Sequence, residues 1–444
     1  MENNHRVYAI ENLKSSAEEK NIFFVNNMHL NKSFKYFQSN NNLDKKKSAL
    51  ALELFKKKYF KYRDLWKKQP KNYFEKKKNS YEKLKILCID VELASVCDLA
   101  CPHCFRQHIA TPDKIIKKKL AFNIIDQASD LNVPSMKFNW RGEPLLNPDI
   151  FEIIDYAKKK GIIETMINTN ATKLNETNAK KLIQSGLDTL IYSFDGGSKE
   201  TYEFYRPGRF KKNNFDEIHN NIKNFSNIKK NLNSVFPRTK IQMILTKETR
   251  DEKQEFLDLF KDYVDEISVK QYSERGGNIK DINIKNFVKD QKVLDFISSK
   301  KNADIMKNAN DDYFLSTERL PCEQPFQRLL VSYDGRVSMC CYDWGIQHPV
   351  GFVDDYYFIN NEKDSEEVSS RIIKKKTGFD LMKSNIPKKY NFPEKKIKKL
   401  KDIWNSDDIN NIRKMHCNNK IGEVEICKNC SFKETYNWKK IEIN

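Results

Sequence analysis

Between residues 85 and 272 the apolar pattern switches repeatedly between a period of two and a period near 3.6, and that alternation restricts the fold more than any other property of the chain. Leu87, Ile89, Val91 and Leu93 alternate with Cys88, Asp90 and Glu92, as in a strand. An amphipathic helix is expected over about 113–131, then a second strand ending at Phe138-Asn139-Trp140. Pro148 opens the next helix and Gly161 stops it. Strands over 165–170, 189–194, 240–246 and 266–269, with helices over 177–185, 215–230 and 251–263, complete a set of six strands. Helices of this length suit right-handed crossovers between parallel strands. The pattern leaves a doubly wound sheet and a partial barrel open; in both, ligands gather on the loops that follow strands.

One such loop carries Cys97-x3-Cys101-x2-Cys104, directly after the first strand. Three thiolates can hold three irons of a 4Fe–4S cube and leave the fourth iron without a protein ligand, an open position of the kind a metal needs to bind a substrate. The competing readings are a zinc site completed by His103 or His108, or three unrelated thiols. A second group comprises Cys322, Cys340-Cys341, Cys417, Cys427 and Cys430, and Cys88 stands apart. Ten cysteines without a secretion signal argue for metal rather than disulfides.

The CxxxCxxC loop, with Phe105 after its last cysteine, resembles the signature of the radical S-adenosylmethionine (SAM) superfamily. Three further turns match that family in order. Gly142-Glu143-Pro144 follows the second strand, preceded by Arg141 where the family has glycine; Thr169-Asn170-Ala171 follows the third, with alanine for glycine; Ser193-Phe194-Asp195-Gly196 closes the fourth. The resemblance implies a partial (β/α)6 barrel over 85–272, a catalytic 4Fe–4S cluster on Cys97, Cys101 and Cys104, and SAM on the fourth iron. It also implies reductive cleavage of SAM to a 5′-deoxyadenosyl radical that abstracts a substrate hydrogen. It assigns Glu143 to the SAM ammonium, Ser193 to the ribose, and Phe105, Gly142, Pro144 and Asn170 to the surrounding cofactor pocket. An electron donor such as flavodoxin or ferredoxin is implied as partner. Tyr202-x3-Arg206-Pro-Gly-Arg209 also resembles a subgroup of this superfamily; Arg206 reads equally as an anion ligand or a helix-terminus residue.

Cys322-x17-Cys340 brackets an Asp334-Gly335 hairpin signal, and Cys427-x2-Cys430 is a tight knuckle. Together with Gly351-Phe352-Val353 and Asp402-Ile403-Trp404-Asn405-Ser406, this resembles the SPASM/twitch auxiliary domain. The resemblance implies one auxiliary 4Fe–4S cluster on Cys322, Cys340, Cys427 and Cys430, closed by four protein ligands. Cys341 competes with Cys340: neighbours on a strand face opposite ways, so one of them alone is expected to point at the cluster. Cys88 and Cys417 read as buried structural thiols.

The expected organisation is an α/β chain. A helical Lys/Asn-rich extension (1–84) with helical spacing over 49–66 precedes the barrel (85–272), a linker (273–321) and a hairpin-plus-helix auxiliary domain (322–444). Within that last domain, a lysine-rich insertion (354–398) precedes a final helix over 400–415. The net charge of +19 comes from 80 Lys and Arg against 61 Asp and Glu, with the lysines in scattered short runs that read as solvated faces. A zinc-containing nucleic-acid-binding protein is the rival those charges suggest, and it does not account for an open three-thiolate loop. No membrane span is expected, so the reading is cytoplasmic. The extension does not read as a strand-rich leader-binding module. The expected substrate is therefore a small molecule of sugar type that is oxidised or rearranged, with peptide or protein modification as the alternative.

Overall fold

The first strand of the computed structural model, β1 (Ile10–Lys14), lies in the extension and is followed by α1 (Ala17–Asn26), α2 (Lys32–Asn40) and α3 (Lys45–Lys76). The barrel region then runs β2 (Cys88–Val91), α4 (Lys118–Asp130), β3 (Ser135–Lys137), α5 (Ile150–Lys159), β4 (Glu164–Thr169), α6 (Glu176–Ser185) and β5 (Thr189–Ser193). It continues with α7 (Lys199–Tyr205), α8 (Phe215–Asn231), β6 (Arg238–Leu245), α9 (Lys253–Phe260) and β7 (Glu266–Gln271). The structure describes residues 10–76, 84–272 except 105, 107–110 and 247, residue 295, 305–307, 313–364 except 347, 361 and 362, and 396–441 except 429, 431, 433 and 434.

Strands β2 to β7 pair in parallel and in chain order, with no reversal point. That order excludes the doubly wound sheet, which needs a switch in strand order, and leaves a partial (β/α)6 barrel. Each strand sends alternate residues to its two sides. Ile89, Val91, Met136, Ile167, Leu190, Ile241 and Ile267 pack on the helices in one core with Ile125, Ile154, Leu182, Ile222 and Phe256. The opposite face is also largely buried, and it is polar. On it Asp90 pairs with Arg328 at 3.1 Å, and Glu92 with Arg141 at 2.7 Å.

Both edges of the barrel are covered, which removes two open strand ladders. On one side β1 pairs antiparallel with β7. On the other, β10 (Arg328–Val331) pairs in parallel with β2, and β11 (Arg336–Ser338) and β12 (Gly351–Phe352) continue the sheet. The hairpin therefore belongs to the barrel's own sheet, its turn made at Gly335, whose φ of 80° suits glycine.

Three expectations need correction. The extension is helical except for β1, whose five residues are too few to declare a period. The stretch 273–321, read as linker, contains β8 (Ile305–Lys307) and β9 (Tyr313–Arg319); β9 pairs with β13 (Tyr436–Lys440). Its polar composition hid a strand whose partner lies more than a hundred residues downstream. The final helix is also two, α10 (Leu400–Trp404) and α11 (Asp407–Cys417), divided at Asn405-Ser406. Most of the lysine-rich insertion lies outside the described residues.

Helices α1 to α3 stopper the amino end of the barrel. Phe24, Met28, Phe34, Phe55, Tyr59 and Tyr62 form a cluster with Leu87, Ile163 and Phe236, which precede β2, β4 and β6. Lys20 and Tyr62 reach the buried Glu164 at 2.9 and 3.2 Å. Any cavity at the carboxyl end is thus closed from below.

Candidate active site and second thiol centre

Chain leaving β2 enters the cysteine loop, which is fixed by backbone and arginine contacts rather than by regular structure. Ala100 N–H donates to the Pro207 carbonyl and Arg209 N–H to the Asp98 carbonyl, both at 2.8 Å. Arg106 donates to the Ser95 carbonyl at 2.7 Å and shares Asp113 with Arg209. A Cβ on Gly208 would stand 1.7 Å from the Lys211 carbonyl oxygen, so this approach requires glycine. Arg206 is gripped by Asp195 at 2.7 and 2.6 Å, and its Nη1 reaches Cys101 Sγ at 3.9 Å. His103 Nε2 stands 3.2 Å from the same carboxylate. Burial alone would raise the Asp195 carboxyl; Arg206 and His103 beside it hold it well below the usual carboxylate range. The Tyr202–Arg209 stretch thus clamps the thiol loop.

A cavity of about 290 Å³ opens at the carboxyl ends of the strands. It is lined by Cys97, Cys101, Cys104, Gly142, Glu143, Asn170 and Ser193, seven of the residues read from the sequence. Pro144 is buried in the short turn behind Glu143 and does not line it, and Phe105 lies outside the described residues. Glu143 accepts from Thr169 Oγ1 at 2.8 Å, Asn170 N–H at 2.7 Å and Leu145 N–H at 3.0 Å. Burial pushes its carboxyl up to about 7, against those donors. Gly142 has a packing role: a Cβ there would meet the Val96 and Ala94 carbonyl oxygens at 2.3 and 2.4 Å. Asn170 Nδ2 donates to Asp98 at 2.9 Å and lies 3.9 Å from Cys97 Sγ. Ala171 takes a φ of 62°, the conformation for which the family turn uses glycine.

The donor chemistry fits an iron–sulfur cube. Burial, with the neighbouring Cys101 adding to it, pushes the Cys97 thiol up, and burial pushes Cys101 up to about 12 against the charge of Arg206. Three thiols on one loop beside a cavity are the ligand type such a cube uses.

The second group gathers elsewhere. Burial, with the nearby Cys341, Cys322 and Cys430 thiols adding to it, pushes Cys340 well above its usual value. Burial and Cys430 push Cys427 up to about 12. His416, which nothing local in the sequence singles out, touches two members of the group: its Nδ1 accepts from Cys322 N–H at 3.0 Å and its Nε2 lies 3.5 Å from Cys427 Sγ. Arg319 donates to the Cys427 carbonyl at 2.6 Å, and Tyr436 to the Cys430 carbonyl at 2.7 Å. Strand alternation does not choose between Cys340 and Cys341, because β11 ends at Ser338 and both cysteines lie beyond it. Cys88 is buried in β2 and Cys417 packs in the main core.

The turn bearing Cys340 and Cys341 continues into Tyr342 and Trp344, which line the first cavity. Trp140 Nε1 donates to the Cys341 carbonyl at 3.0 Å. Arg141 holds Glu92 with two hydrogen bonds of 2.7 Å and donates to the Trp344 carbonyl at 3.1 Å. Arg141, read from sequence as a missing glycine, is thus a strut between the two regions. Lys137, Asn139, Asn168, Gln242 and Lys270 also line the cavity and were not foreseen. The signal for four of them was present: Lys137, Asn168, Gln242 and Lys270 occupy inward positions of strands.

The family model of the radical SAM superfamily matches residues 91–260, and that of an iron–sulfur cluster-binding domain, SPASM, matches 322–431. A probable GTP 3′,8-cyclase of Methanothermobacter marburgensis is 32% identical over 119 residues, which are 27% of this chain and 38% of that protein. The mycofactocin maturase MftC of Mycolicibacterium smegmatis is 26% identical over 38% of this chain and 40% of its own length. The chain thus spans about two fifths of these curated relatives. Among solved structures, SuiB of Streptococcus suis bound to precursor peptide SuiA matches with a TM-score of 0.49 at 16% identity, over 94% of this chain and 84% of SuiB. BtrN in complex with AdoMet and 2-DOIA matches with a TM-score of 0.40 at 16% identity, over 78% and 92%. A radical SAM domain implies a 4Fe–4S cluster and SAM, and a SPASM domain implies auxiliary iron–sulfur clusters. No helix among the described residues is long and apolar enough to cross a membrane. The chain belongs to the radical SAM superfamily and carries a C-terminal SPASM domain.

Proposed function

We propose that Cys97, Cys101 and Cys104 hold the catalytic cluster, that Glu143, Asn170 and Ser193 contact SAM, and that Cys322, Cys340, Cys427 and Cys430 hold one auxiliary cluster. When bound, the cofactors supply reductive cleavage of SAM and removal of a substrate hydrogen. The supporting observation is that three thiols and three polar residues, drawn from four successive loops, line one cavity. In this reading the Arg206–Asp195 pair holds the loop at its Cys101 end, and Glu143 offers a fixed acceptor to an ammonium. The amino-end stopper and the rim of Trp140, Tyr342 and Trp344 limit water.

The substrate in this reading is a small molecule of sugar type, oxidised or rearranged at a C–H bond, with flavodoxin or ferredoxin as reductant. It draws on the polar lumen and on an extension packed at the end of the barrel away from the cavity. Peptide or protein modification is the competing reading. Anaerobic reconstitution, iron counting and a SAM-cleavage assay test the proposal. Two clusters give about eight irons per chain, with 5′-deoxyadenosine formed under reduction. Stoichiometric zinc without visible absorption would overturn it.

A further inference from the structure

Five neighbouring strands send polar side chains from their carboxyl ends into the cavity, among them Lys137 from β3, Asn168 from β4, Ser193 from β5, Gln242 from β6 and Lys270 from β7. A lumen filled only for stability would be apolar. Asn168 is the most telling member. Its Oδ1 is buried with no hydrogen-bond partner among the described residues, a standing cost that a ligand hydroxyl removes.

Charge points the same way. Each arginine lining the cavity already has its carboxylate: Arg106 has Asp113, Arg141 has Glu92 and Arg206 has Asp195. Glu143 is the one carboxylate among the lining residues; Thr169 and two backbone N–H groups take three of its acceptor positions, and the reading above gives the remainder to the SAM ammonium. Lys137 is half-buried on the lumen side and has no carboxylate against it among the described residues. A half-buried ammonium in a cavity calls for an anion.

We propose that this face of the cavity is a substrate subsite for a polyhydroxylated molecule bearing an acidic group, carboxylate or phosphate. Lys137 takes the anion, and the amides of Asn168 and Gln242 take hydroxyls. The inference rests on the radical SAM reading above and narrows its substrate class.

Lysine acetylation of the anaerobically reconstituted holoprotein, mapped by mass spectrometry, tests it with SAM alone and then with SAM plus D-glucose, D-glucuronate, glucose 6-phosphate or inorganic phosphate. Lys137 is expected to be labelled with SAM alone. Glucuronate or glucose 6-phosphate then lowers labelling several-fold, glucose does not, and the stronger of the two identifies carboxylate or phosphate. Asn168→Ala is expected to weaken protection by the sugar acid and not by inorganic phosphate. Full protection by SAM alone would assign Lys137 to the methionine carboxylate and overturn the subsite, as would labelling that no anion changes. Protection by inorganic phosphate without protection by either sugar acid removes the hydroxyl half of the proposal. Iron content and SAM cleavage are measured on the same preparation: their absence overturns the family chemistry, and their presence with unprotected Lys137 overturns the subsite alone.

Discussion

The loop with Cys97, Cys101 and Cys104 spans eight residues and is gripped by Arg106, Arg206 and Arg209 beside an accessible cavity. The second thiol centre instead draws Cys322, Cys340, Cys341, Cys427 and Cys430 from three separated stretches around the buried His416. A centre that must admit a ligand keeps its thiols on one loop and spends its ion pairs on holding that loop still. A centre that only has to be enclosed recruits distant segments and lets the core close over them. The contrast suits catalysis for the first and electron transfer or structure for the second.

The sharpest break comes from removing each thiol set. Cys97→Ala, Cys101→Ala and Cys104→Ala together are expected to halve the iron, about four of about eight atoms, and to abolish SAM cleavage. Cys427→Ala with Cys430→Ala is expected to remove the other half and leave 5′-deoxyadenosine formation detectable. Equal loss of cleavage in both would show that the centres do not act separately. Next in size is Arg141→Met. It leaves Glu92 buried without its partner and is expected to cost about 3–5 kcal/mol, read as a lower urea midpoint. Gly142→Ala strikes the catalytic side alone: crowding against the Val96 and Ala94 carbonyls is expected to cost about 1–3 kcal/mol and to lower iron at the first centre only.

The smallest effect belongs to the auxiliary hairpin. Burial would raise the Asp334 carboxyl, but Arg336 beside it outweighs burial and leaves it below its ordinary value. A carboxyl depressed in the folded state adds stability above its unfolded value and loses it as pH falls, here below about pH 4. The loss is expected as a shallow acid limb in the urea midpoint that Asp334→Asn flattens.

These two plans also explain what could be read from residues alone. The first centre was legible because its thiols are adjacent in sequence and its other residues sit at the ends of strands with clear periodicity. Strand order needed coordinates, since periodicity carries no neighbour information. The second centre was legible as a cysteine set with a hairpin signal and a tight knuckle, but not in how its stretches meet. Nothing local to His416 marks it, because its role comes from meeting Cys322 and Cys427 across the fold. Arg141 was misread as a lost glycine because its partners, Glu92 and the Trp344 carbonyl, are remote in sequence. The strand at Tyr313–Arg319 hid in polar sequence for the same reason.

The ladder between Cys88–Val91 and Arg328–Val331 joins segments more than two hundred residues apart. On the ribosome, the strand that leads into the cysteine loop therefore waits with one flank bare until more than two hundred further residues have been made. Such a pairing is slow to find and leaves a sticky ribbon in the meantime. Nascent chains stopped before residue 328 should accordingly lean on chaperones, and the finished barrel is sealed by a late segment whose continuation, at Tyr342 and Trp344, lines its cavity.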